Sequence, residues 1–134
     1  MHQVSRPLAL IWSDLWKEPI FQIGLTVKIL LIIFLVPIIQ QEWFVPFITN
    51  WIENPNMLPW SAHLSKGGDQ MAFPYGPVMF LSHLPTTGLG WFIDYIFGLS
   101  YFSNIGFRLS LLIADIFLLI FLLQLFENNW KRLL

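Results

Sequence analysis

A chain of 134 residues has room for one domain, but 56% hydrophobic and only 11% charged residues exclude an ordinary soluble one. A formal net charge of −1 offers nothing to a nucleic acid, and the lack of cysteine excludes disulfides and thiolate metal sites. The composition predicts an all-α integral membrane protein with two to three transmembrane helices, interfacial amphipathic helices and a long extracytoplasmic loop.

Residues 1–19 read as an interfacial segment. Pro7 after Ser5 resembles a helix start, and Trp12 and Trp16 lie one turn apart, as an interfacial helix or a simple aromatic anchor would place them. Arg6 and Lys17 precede the first span and predict a cytoplasmic amino terminus in an inner or plasma membrane. The apolar run that follows starts too late and is too long for a signal peptide, and no small-residue cleavage site follows it.

The first span is expected over residues 20–39, interrupted by Gln22, Gly24, Thr26, Lys28 and Pro37. At about 1.5 Å per residue it covers a hydrocarbon core of roughly 30 Å. Residues 40–76 then form the outer loop. Trp43, Phe44, Phe47, Ile48, Trp51 and Ile52 recur at helical spacing and predict a helix lying on the membrane surface. Asn54-Pro55-Asn56, Leu58-Pro59-Trp60 and Lys66-Gly67-Gly68-Asp69 are turn signals. The loop closes on Phe73-Pro74-Tyr75-Gly76-Pro77, where two prolines fix φ and Gly76 permits geometry closed to other residues.

A second span over 77–99 carries His83, Pro85, Thr86, Thr87, Gly88, Gly90 and Asp94, which predict a kinked or partly re-entrant segment. The third, over 105–126, is far more apolar, since fourteen of the eighteen residues from Leu109 to Phe126 are Leu, Ile or Phe. At about −0.5 kcal/mol each they outweigh a central Asp at roughly +3 on insertion scales. Three spans put the tail 127–134 outside, although Lys131 and Arg132 favour the inside; two spans, with the middle segment interfacial, reverse that.

A loop of more than thirty residues is where function is expected. A carboxylate near the interface, partly desolvated, can serve as a general base for an incoming hydroxyl. Asp69 on its Gly-Gly turn is the first choice and Glu53 the second, with a solvated turn residue as the plain alternative for Asp69. Glu42 reads as a boundary charge. His63, Lys66, Trp60 and Tyr75 are candidates for substrate binding, though interfacial anchoring explains the tryptophans equally well. No metal-ligand spacing is present, so no cofactor is expected, and the lone His63 leaves a divalent metal open. Within the spans, Arg108 and Asp115 lie seven residues apart on one helix face. Lys28 is a partner for Asp115 in a structural clamp, with Asp94 competing for the same cation.

The outer loop with Asn54-Pro55 and Pro59-Trp60, the junction from Ala72 to Met79, and Arg108 followed by Ala114-Asp115 together resemble the amino-terminal part of GT-C fold glycosyltransferases, most of all the polytopic mannosyltransferase-like members. The resemblance covers most of this chain but only the beginning of such an enzyme. It implies sugar transfer from a polyprenyl-phosphate carrier to an acceptor hydroxyl on the outer side, with Asp69 as base and Lys66, His63 or Arg108 at the leaving phosphate. The competing expectation is a small non-catalytic accessory subunit of a larger membrane complex. The partners implied are the lipid bilayer, a lipid-linked sugar and other membrane subunits, with no nucleic acid.

Overall fold

The computed structural model describes residues 8–125, so the expectations for Ser5, Arg6 and Pro7 and for the tail with Lys131 and Arg132 lie outside the described residues. Every regular element among the described residues is helical: α1 (Leu8–Leu15), α2 (Pro19–Phe34), a π-helical turn (Gln40–Phe44), α3 (Val45–Glu53), α4 (Pro59–Ser65), α5 (Pro77–Phe97) and α6 (Phe102–Leu125). The described residues divide into two compact units, 8–31 with 112–125, and 32–111.

In the first unit a turn at 16–18 separates α1 from α2, and Pro19 opens α2 where a missing N–H costs nothing. The amide of Gln22 covers the Trp16 carbonyl at 2.6 Å. Leu15, Phe21 and Leu123 are buried together, flanked by Leu25, Leu119 and Ile120. Phe21 and Leu25 lie one turn apart on α2, and Leu119 and Leu123 likewise on α6, so each helix offers one stripe to the other. Trp12, Trp16 and Phe21 meet edge to face at 5.7 to 6.4 Å.

The second unit begins with a correction. The helix expected over 20–39 ends at Phe34, and residues 35–37 are non-helical. Pro37 explains it: the ring has no N–H to give and collides with the carbonyl four residues back. That carbonyl belongs to Ile33 and accepts the Tyr101 hydroxyl, while the Leu35 carbonyl accepts the Arg108 guanidinium. Beyond the break, Gln40 is buried and its amide reaches the backbone and side-chain oxygens of Asn104 at 3.0 and 3.2 Å.

Over the segment expected to be kinked or partly re-entrant, the chain forms one helix of 21 residues with Pro85 inside it, so no break divides it. Its buried residues are Phe80, His83, Thr87, Gly90 and Asp94, at alternating spacings of three and four. Gly98, at φ 64°, ends it in the left-handed conformation. Asp94 then bridges the α5–α6 turn. One carboxylate oxygen accepts the Tyr101 and Phe102 amides at 3.0 and 2.9 Å, the other the Ser103 amide and hydroxyl at 2.7 and 2.5 Å. It therefore caps α6 from another helix. The two helices touch backbone to backbone: a Cβ on Gly90 would strike the Phe102 carbonyl, and one on Gly106 the Thr86 carbonyl. Val45, Phe47, Ile48, Phe73, Phe80 and Phe107 form the core beside them.

Candidate functional site

Residues 40–76, expected to form the outer loop, are ordered by aromatic packing. Phe73 is buried and stacks on Phe47 at 4.6 Å, so the Phe-Pro-Tyr-Gly-Pro junction is anchored at its first residue. Gly76 sits at φ −72° and ψ 178°, a conformation open to any residue, which corrects the special role expected of it. The left-handed glycine of this loop is Gly67, at φ 76°. Pro59, read as a turn residue, opens α4 at the first helical position.

The packing of α3, α4 and α5 brings together residues that lie far apart in sequence. Lys66, which ends α4, pairs with Glu53 Oε2, and the Trp91 indole of α5 donates to Glu53 Oε1 at 3.3 Å. Glu53 stands at the rim of an open cleft of about 440 Å³, lined also by Thr49, Trp91, Tyr95, Ser100 and Asn104. Trp91 and Tyr95, one turn apart on α5, stack at 5.5 Å with planes 20° apart. The Lys66 hydrogen bond and charge, with the Trp91 N–H, hold the Glu53 carboxyl below its ordinary value against a smaller opposing effect of burial. The cleft thus combines an ionised carboxylate, an aromatic wall and neutral hydrogen-bonding groups.

Other candidates fall elsewhere. Asp69 is exposed, and its Oδ1 accepts the Met71 amide at 2.7 Å, closing a local turn. His63 is only 3% exposed, with Nδ1 3.1 Å from the Asn50 amide and its ring pressed against Gly68, where no side chain would fit. Burial pushes the His63 imidazole down, although the carbonyls of Asp69 and Pro46 oppose the shift. Trp60 packs edge-on against Phe47 at 5.1 Å, and Tyr75 against Phe44 and Phe73 at 5.7 Å. Arg108 is buried and directs Nε to the Asn104 carbonyl at 3.1 Å as well as reaching Leu35. Lys28 pairs with Asp115 at 2.5 Å, whereas Asp94, the expected competitor, is occupied as the α6 cap.

Among the described residues no three His, Asp or Glu side chains gather as a metal ion would require. Trp91, Tyr95, Thr49 and Asn104 escaped the sequence reading. The spacing of Trp91 and Tyr95, four apart in a segment of mixed polarity, was the signal available for them. Compared with protein-family models, curated proteins and solved structures, the chain matches none.

Proposed function

We propose that this chain is the amino-terminal membrane portion of a GT-C-like glycosyltransferase using a polyprenyl-phosphate-linked sugar, with the cleft beside Glu53 as the seat of a sugar. Support for the membrane begins with an inside-out pattern. The buried side of α5 carries His83, Thr87, Gly90 and Asp94, while Val78, Leu81, Leu89, Phe92 and Ile96 are exposed. On α6, Ser103, Asn104, Arg108 and Ser110 are buried, while Leu109, Leu111, Ile113, Phe117 and Phe121 are exposed. Water would reverse both arrangements, whereas hydrocarbon favours them. Phe102–Leu125, whose most apolar eighteen residues have mean hydropathy 2.3, is among the described residues the one helix both long and apolar enough to cross a membrane. At 1.5 Å per residue α6 measures about 36 Å, α5 about 31 Å and α2 about 24 Å, against a core of roughly 30 Å. We therefore read α5 and α6 as spans and α2 as a third, shorter one.

The observation that carries the enzymatic reading is the Glu53–Lys66–Trp91 arrangement at the cleft. Stacked aromatics present a flat apolar wall to the C–H face of a sugar ring, and a carboxylate beside them accepts hydroxyl hydrogen bonds. In the reaction the acceptor hydroxyl oxygen bonds to the anomeric carbon and the carbon–oxygen bond to phosphate breaks. The polyprenyl phosphate leaves with the electron pair. Two carboxylates line the cleft, and because both Asp94 oxygens already accept from Tyr101, Phe102 and Ser103, Glu53 is the one assigned to receive the hydroxyl proton, with Lys66 balancing its charge.

The test is transfer of radiolabelled mannose from polyprenyl-phosphate mannose to an alkyl mannoside, in nanodiscs, by an enzyme that carries this chain as its amino-terminal portion. Glu53→Gln is expected to lower turnover by about a hundredfold or more, with membrane retention unchanged, and Trp91→Ala to raise KM. Loss in Asp69→Asn with turnover kept in Glu53→Gln would return the role to Asp69. A second reading, a non-catalytic accessory subunit, is favoured by the half-exposed Lys28–Asp115 pair. Absence of donor binding, together with a stoichiometric membrane partner, would decide for it.

A further inference from the structure

In the first unit, α2 and the second half of α6 leave an open groove of about 270 Å³ whose walls are Phe21, Leu25, Leu112, Leu119 and Leu122. Lys28 and Asp115 also line it, joined at 2.5 Å, yet their side chains remain 50% and 54% exposed. Gly24, one turn before Lys28, has open space where a side chain would be. Asp115 stands close to the midpoint of Phe102–Leu125. On the reading that α6 spans a membrane, half of an ion pair's surface would therefore face hydrocarbon at mid-depth. An ion pair there is stable only when further polar groups or other helices cover it.

The occupant that fits is a second copy. The cation is on one wall of the groove and the anion on the other, at one depth. A two-fold axis along the membrane normal preserves depth and, passed through the groove, sets α2 of each copy against α6 of the other. Lys28 of one copy then faces Asp115 of its partner, and Asp115 faces the partner's Lys28. The result is a neutral square of four alternating charges, while the apolar walls and the space over Gly24 admit close helix approach. We propose that the chain forms a two-fold homodimer in the membrane through the α2–α6 groove, closed by reciprocal Lys28–Asp115 pairing. This proposal rests on the membrane reading but not on the glycosyltransferase one.

The chain has no cysteine, so Gly24→Cys supplies one reporter beside the expected axis. In native membranes this variant is expected to form a covalent dimer with a flexible bis-maleimide long enough to join the two α2 helices, which lie diagonally across the axis. Adding Lys28→Asp should lower the yield about tenfold, because four carboxylates then meet, and adding Asp115→Lys should do the same with four cations. Co-expressed with different tags, the Lys28→Asp and Asp115→Lys variants are expected to cross-link to each other and not to themselves. That selective pairing is beyond a pair serving only within one chain. Monomers throughout, equal yields in all variants, or cross-linking of Gly24→Cys to a different protein would overturn the dimer. Resistance to alkaline carbonate, measured on the same membranes, separates those outcomes from failure of the membrane reading.

Discussion

Asp94 shows how a single side chain joins two helices. Its oxygens satisfy three amides that α6 cannot pair internally, with the Ser103 hydroxyl as a fourth donor. Asp94→Ala is expected to lower unfolding stability by about 2 kcal/mol, the upper range for a lost helix cap, and Asp94→Asn by less; denaturant titration in micelles measures both. A gain or no change in Asp94→Ala would refute the capping role. His63 gives a different expectation. Its folded pKa lies below the ordinary 6.5, so the unfolded chain binds the extra proton as pH falls between the two values. The contribution is constant above about 6.5 and stability declines below it. Lowering pH from about 7.5 to 5.5 should therefore depress the thermal midpoint, less so in His63→Gln; an identical decline in both would remove His63 as a cause. Glu53 acts later, since its ion pair stabilises above 4.5 and is lost as pH falls through its lower folded value. Asp69 was legible as a turn residue because its partner is two residues away. The Glu53 site was not, because its partners Lys66 and Trp91 lie 13 and 38 residues along the chain and meet it only through helix packing.

Among elements, the contact of α5 with α6 depends on what is missing from Gly90 and Gly106. Gly90→Ala and Gly106→Ala each drive a methyl into a carbonyl of the other helix, and each is expected to cost about 1–3 kcal/mol, as overpacking does. Gly88→Ala is the control, because its new methyl would lie 3.6 Å from Ile52, an ordinary contact. Steric trapping or denaturant titration should rank it with the parent chain; equal loss in all three would show that glycine itself, not the close approach, matters. The long apolar helix α6 was readable from hydropathy alone. The end of α2 was misread because twenty consecutive residues of mostly apolar character, 20–39, hide the effect of one Pro37. The segment of α5 was read as kinked or partly re-entrant because Pro85 and its polar neighbours interrupt the hydropathy, and the helix continues across Pro85.

At the scale of the molecule, α5 and α6 bury His83, Thr87, Asp94, Ser103, Asn104, Arg108 and Ser110 beside Phe80 and Phe107, while Leu81, Leu89, Phe92, Leu109, Ile113, Phe117 and Phe121 are exposed. The chain is therefore expected to stay with membranes washed in alkaline carbonate and to leave them only with detergent. Release by carbonate alone would sink the membrane reading and, with it, the dimer. The break after α2 carries a further consequence, for the order of assembly. The carbonyls of Ile33 and Leu35 find their donors in Tyr101 and Arg108, 68 and 73 residues later in the chain. At about 5–20 residues per second, a ribosome would take roughly 4 to 15 seconds to deliver those donors. Until then, water or other polar groups must supply the missing hydrogen bonds, which on the membrane reading keeps the end of α2 at the surface of the bilayer. On the reading that α2 spans a membrane, its end thus reaches its final place only when α6 arrives, and a cysteine at Phe34 should lose reagent access on ribosome-bound chains once Arg108 has emerged.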